Sequence, residues 1–182
     1  MKILFISDNA INGFGGGSLE NRKHYDALRE YCKKKGDDLK VISRDDDLEE
    51  SLSIEMYKSR ITDIMVRFKG HSTFLYDIWK KNENLICAYK PDIIYLGRSR
   101  FGFIAKRAKK VLPECQVITN IDNVELDYVD GYFSLKKGPV NKLYRLLETT
   151  VVKRDEAQAI KYSDVLIYLT KTTVLLSDDF LS

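Results

Sequence analysis

The chain has 182 residues, enough for one domain with its own core, and its 44% apolar and 31% charged content places it among soluble globular proteins. That composition excludes an intrinsically disordered chain. Thirty basic residues against 27 acidic ones leave a formal charge of +3, too small an excess to argue by itself for a nucleic-acid partner.

Cysteine is sparse. Cys32, Cys87 and Cys115 are odd in number and show no C-x-x-C spacing. This argues against a disulfide framework or a zinc site and fits a reducing cytoplasm. His24 and His71 are isolated from each other in sequence, so no metal is expected. The opening MKILFIS is too short and too quickly polar for a signal peptide, and no run of about 18 apolar residues exists to span a membrane.

The first predicted strand is KILFIS (2–7). After it comes a loop with four glycines among Gly13–Gly17, then a helix predicted to start at Ser18 and stop at Gly36. Tyr25, Leu28 and Cys32 recur there at helical spacing, and Lys33–Lys35 fill its last turn. Ser18 reads as the N-cap, with Asn21 in place of the acid or Gln of a capping box. LKVIS (39–43) is the second strand, and the acidic run Asp45–Asp47 with Glu49 and Glu50 reads as a solvated helix entry. An apolar stripe from Phe74 to Tyr89 predicts one helix over 72–90, closed by Pro91. DIIYLG (92–97) is the third strand, 102–111 a basic helix, and QVITNI (116–121) the fourth strand. DGYFSLKKGP (130–139) reads as a surface loop, 140–162 as a long helix and VLIYLT (165–170) as the fifth strand. Each strand is a nearly continuous apolar run, the pattern of strands covered on both faces. The fold class expected is α/β: a Rossmann-like, doubly wound, mostly parallel sheet flanked by helices.

In such sheets ligands bind at the C-terminal strand ends. Those ends carry Ser7–Asp8 with the glycine loop, Ser43–Arg44, Gly97–Arg100, Ile121–Asn123 and Thr170–Lys171. The loop fails two familiar tests. A dinucleotide fingerprint needs a third glycine where Ser18 stands and an acid ending the second strand, where Ser43–Arg44 stand. A P-loop needs Lys before Ser18, and Gly17 is there. Two readings stay open: a flexible turn, or bare backbone at a helix N-terminus that suits a diphosphate or sugar hydroxyls. Arg98 and Arg100 suit a phosphate or carboxylate through paired N–H bonds, or are ordinary surface charge. Lys106, Arg107, Lys109 and Lys110, with Lys136–Lys137, would draw the domain to an anionic membrane if they share a face; the alternative is a solvated face.

Four segments together resemble the N-terminal half of a retaining glycosyltransferase of the GT-B architecture, in the group-1 (family-four) class. They are KILFISDNAINGFGGGS (2–18), YKPDIIYLGRSRFG (89–102), VITNIDNVELDY (117–128) and RDEAQAIKYSDVLIYLTK (154–171), in which Glu156 lies eight residues before Asp164. The resemblance implies one half of a GT-B fold: a single acceptor-side domain over 1–182, with the C-terminal donor-binding domain absent from this chain. The fragment alone would then be inactive, and the whole enzyme would transfer a sugar from a nucleotide-sugar to a cell-surface glycan or lipid-linked acceptor, as in capsule or lipopolysaccharide synthesis. By position, Gly15, Gly16, Gly17 and Ser18 take the loop near the donor diphosphate. Arg98, Ser99, Arg100, Asp122, Asn123 and Glu125 take the acceptor side. Asp122 stands where many relatives have His, and an ionised acid cannot reproduce a His donor. No cofactor is implied beyond the nucleotide-sugar substrate, and no nucleic acid. The implied setting is the cytoplasm, with peripheral contact at the inner face of the membrane. The rival readings are a non-catalytic Rossmann-like partner module working with a separate catalytic chain, and a nucleotide-binding oxidoreductase domain.

Overall fold

The structure is a computed structural model that describes residues 1–44, 47–52, 60–121, 125–134 and 138–168. Five parallel strands form one sheet: β1 (Lys2–Ile6), β2 (Asp38–Ile42), β3 (Ile93–Leu96), β4 (Gln116–Ile121) and β5 (Val165–Tyr168). They lie in the order β2-β1-β3-β4-β5. All four pairings are parallel, with Ile3 opposite Leu39 and Ile93, and Ile118 opposite Val165. The domain is a Rossmann-like, doubly wound α/β fold, as the alternation of apolar runs and helical stripes predicts.

Both faces of the sheet are covered, so alternate residues of one strand enter different cores. Ile3, Phe5, Val41 and Tyr95 pack on one face with Tyr25 and Cys32 of α1 (Gly16–Lys35). Leu4, Ile6, Ile94 and Leu96 pack on the other with Trp79, Ile86 and Ile104. Those last residues come from α3 (Thr73–Lys80), α4 (Glu83–Tyr89) and α5 (Gly102–Val111). A short α2 (Arg60–Phe68) precedes them. A 3₁₀ turn, Ser99–Phe101, leads into α5. Between β4 and β5 run α6 (Glu125–Ser134) and the long α7 (Pro139–Tyr162), which packs on α5, α6 and the 3₁₀ turn. Among the described residues no helix is long and apolar enough to cross a membrane.

Several expectations are corrected. The helix expected from Ser18 begins at Gly16 with Gly15 as N-cap, and Ser18 lies inside its first turn. Its end is as expected, with Gly36 left-handed at φ 72. The single helix expected over 72–90 is broken into α3 and α4, because buried Asn82 turns its amide onto the Asp77 carbonyl (3.0 Å) and its N–H onto the Trp79 carbonyl (3.2 Å). The surface loop expected over 130–139 is helical as far as Ser134, and α7 starts at Pro139, a residue suited to a first helical turn. The acidic run does not enter a helix at 47–52. Glu50 there accepts from the Tyr25 hydroxyl (2.7 Å) and Arg29 Nε (2.8 Å) instead of facing solvent. Residues 45 and 46, and the end of the predicted fifth strand at 169–170, lie outside the described residues.

Candidate functional site

The strand order reverses between β1 and β3: β1 leads through α1 to β2 on one side, and β3 leads to β4 on the other. A crevice opens at such a point, beyond the carboxyl ends of the strands. That edge of the sheet carries Ser7–Asn9 after β1, the N-terminus of α1, and Arg98 after β3. Ser7, fully buried, ties this turn by donating to the Asn9 carbonyl (2.9 Å) and accepting the Asn9 N–H (3.1 Å).

The glycine loop is held from behind. Arg22 donates to the carbonyls of Ile11 (2.9 Å) and Gly13 (3.2 Å), and Ile11 is buried in the core of that face. The loop glycines differ in surroundings. A Cβ on Gly17 would lie 2.6 Å from the Asn9 amide nitrogen and 3.6 Å from Arg98 Nη2, so this glycine permits close packing. A Cβ on Gly15 or Gly16 would meet nothing within 4 Å. The first helical bond is Leu19 N–H to the Gly15 carbonyl (3.0 Å), so the amides of Gly16, Gly17 and Ser18 precede the helical ladder. An open, unencumbered N-terminus of a 20-residue helix therefore faces the crevice, with the positive end of its dipole outward.

Charge beside it alternates through five elements. Arg98 pairs with Asp8 (3.2 Å) and Glu125 (3.6 Å). Arg100 lies 3.9 Å from the other Glu125 oxygen and pairs with Glu148, which Arg67 also holds. Asp8 Oδ1, shielded from solvent, accepts no hydrogen bond. Arg98 is thus a compensated cation that orients Asp8 and Glu125. Both Glu125 carboxylate oxygens are shielded from solvent, so the main-chain amides of Gly16, Gly17 and Ser18 are the polar groups of this edge that stand outside the ion-pair network.

Two acids on α7 support this layer from below. One Glu156 oxygen accepts the Ser99 hydroxyl (3.3 Å) and the Glu125 N–H at the start of α6 (3.0 Å). Burial raises the Glu156 carboxyl above its ordinary range despite these bonds. Burial likewise pushes Asp155 up to about 7, and the charges of Arg100 and Arg154 offset only part of that. Neither Asp155 carboxylate oxygen completes a hydrogen bond. Gly102 lets α7 come this close: a Cβ there would overlap the Asp155 carbonyl oxygen and lie 2.6 Å from the Ala159 nitrogen.

The structure brings Gly15, Gly16, Gly17 and Ser18 to the same edge as Arg98, Arg100 and Glu125. Ser99 is buried against Glu156. Asp122 and Asn123 lie outside the described residues. Sequence reasoning missed Glu148, Arg67 and Asp155, whose helical positions carry no local signal of a shared ion-pair network. Among the described residues no cluster of His, Cys, Asp and Glu could hold a metal ion. The arrangement is a Rossmann-like domain in which the glycine loop, Asp8, Arg98 and Glu125 meet at the switch point of the sheet. No protein-family model matches the chain, and a comparison with curated proteins returns no match.

Proposed function

We propose that this chain is the acceptor-side domain of a retaining glycosyltransferase of the GT-B architecture. The whole enzyme transfers a sugar from a nucleotide-sugar to a cell-surface glycan or lipid-linked acceptor, at the cytoplasmic side of the membrane. The observation that carries the reading is the open Gly15–Gly16 helix N-terminus beside the Asp8–Arg98–Glu125 triplet at the switch point. Main-chain amides with no side chain to fend off an anion suit the leaving diphosphate, whose charge grows as the glycosidic bond breaks. Asp8, oriented by Arg98 and with Oδ1 unpartnered, suits an acceptor hydroxyl, which it holds by accepting its hydrogen bond, while Glu125 fixes Arg98 from within. The order of the four resembling segments along the chain adds to this.

The test has two arms. In the first, uridine diphosphate is added to the labelled chain and the amide resonances of Gly15–Ser18 are followed by NMR. They should shift, and in Gly16→Glu the response should vanish, because a carboxylate in the open position repels the anion. In the second, the complete product of the gene is given a panel of radiolabelled nucleotide-sugars and a membrane extract. Transfer that Gly16→Glu removes supports the reading. Absence of transfer with every donor, or full activity in Gly16→Glu, overturns it; binding without transfer favours a non-catalytic partner module.

A further inference from the structure

On the outer side of the α5–α7 pair lies a second concave region, a groove of about 460 Å³. Five cations line it: Lys106, Arg107, Lys109 and Lys110 from α5 and Arg154 from α7. Two of them are spoken for. Arg107 pairs with Glu83 (2.7 Å) and Lys109 with Asp164 (2.6 Å). Lys106, Lys110 and Arg154 have no carboxylate partner among the described residues. Lys106 and Lys110, one helical turn apart, lie on the same side of α5.

Two further observations point to a missing ligand. His71 Nδ1 and Gln158 Oε1, both on residues lining the groove, are shielded from solvent and make no hydrogen bond. Shielded polar atoms are ordinarily bonded, so these two on lining residues, one before α3 and one on α7, call for a partner. The groove also has apolar ring surface. Phe103 packs on His71, with ring centroids 4.5 Å apart, and Lys106 sits 5.9 Å from the centre of the Tyr162 ring. Burial, and then the charges of Arg154, Lys106 and Lys69, hold the His71 imidazole below its usual pKa range.

We infer that the α5–α7 groove is a binding site for a hydroxyl-bearing organic phosphate, with Lys106, Lys110 and Arg154 gripping the anion, His71 hydrogen-bonding to it, Gln158 Oε1 accepting from a hydroxyl of the carbon body, and Phe103 and Tyr162 supporting that body. The volume is that of an ordinary small-ligand pocket and exceeds what one phosphate group fills. A free metabolite and a lipid headgroup share this chemistry. The inference does not rest on the glycosyltransferase reading, since none of these residues borders the switch-point crevice.

The test uses the whole chain. Inorganic pyrophosphate is titrated in while the His71 ring resonances are followed by NMR, and co-sedimentation is measured with phosphatidylglycerol-containing and pure phosphatidylcholine vesicles. Shifts at His71 with pyrophosphate identify a soluble phosphate as sufficient; sedimentation only with the anionic vesicles identifies a lipid headgroup. In either case Lys106→Glu with Lys110→Glu should weaken binding about tenfold or more, because two attractive contacts become repulsive. Arg154→Gln, which reverses no charge, repeats the test should the double variant fold poorly. The Gly16→Glu variant should leave the His71 response intact, which separates this site from the crevice. No response at His71 together with no vesicle binding overturns the inference, as does binding that both groove variants leave unchanged.

Discussion

Replacing Asp155 with Asn separates the cost of a buried carboxylate from everything else in the molecule. In the folded chain burial keeps this carboxyl protonated up to about pH 7, whereas its ordinary value is 3.8. Between those values the folded state binds more proton than the unfolded chain, so stability falls as pH rises. The contribution is complete below pH 3.8 and lost once the pH passes about 7. Most of that loss falls between pH 5 and 7, and at about 1.4 kcal/mol per pH unit it comes to ~3 kcal/mol. Asn carries no proton to lose, so Asp155→Asn should gain ~3 kcal/mol on the natural chain when the pH goes from 5 to 8. At a urea slope of about 2 kcal/mol per molar, the gap between the two unfolding midpoints should change by ~1.5 M. The assay is urea unfolding of both proteins at pH 5 and pH 8, followed by far-ultraviolet circular dichroism. Taking the difference between the proteins removes the contributions of other titrating groups. A gap that is the same at both pH values to within ~0.5 kcal/mol would refute the claim that Asp155 is held neutral by burial under α5.

Three further outcomes are expected. Gly102→Ala forces a methyl group against backbone atoms of Asp155 and Ala159 that cannot rotate away, so it should cost ~3 kcal/mol and lower the melting temperature by at least ~6 °C. Gly16→Ala, with nothing within 4 Å, is the control and should melt within ~2 °C of the natural chain. Glu156→Ala leaves the Ser99 hydroxyl and the Glu125 N–H without their acceptor and should cost ~2–3 kcal/mol by calorimetry. Glu156→Gln keeps an oxygen acceptor there and should cost less than half as much; equal losses would refute the assigned role. Lys90 holds a left-handed φ of 52 at the end of α4, so Lys90→Gly should stabilise the chain by ~0.5–1 kcal/mol in urea unfolding.

The strands were the most legible part of the fold. Runs such as KILFIS and DIIYLG are apolar at consecutive positions, short and rich in β-branched residues, the pattern of a strand buried on both faces. The helices were less legible where a single polar side chain redirected the backbone. Nothing in the apolar stripe of 72–90 reveals that Asn82 will be buried and bond the Asp77 carbonyl, because that choice depends on what packs above it. The α2 helix carried a usable signal, since Ile61, Met65 and Phe68 recur at helical spacing, yet all three face solvent. The α6 helix was hidden by Gly131 and by turn-forming residues around it.

The candidate site divides in the same way. The glycine cluster, Arg98 and Arg100 and Glu125 were visible as residue types at strand ends, because in a parallel sheet every strand delivers its C-terminus to one edge. Which of them touch was not visible. That Glu156, thirty-one residues after Glu125, would accept its N–H and so fix the start of α6 depends on α7 crossing α5 at Gly102. The chain by itself thus determined the five strands and the α/β class with a parallel sheet, since these follow from local hydrophobic periodicity. The tertiary structure alone decided that Arg98 is compensated by Asp8 and Glu125, that Gly15 and Gly16 stand open while Gly17 is packed, and that Asp155 is driven toward neutrality. Those properties are set by distances between residues remote in sequence and by the loss of water around them, and neither is written in any one segment.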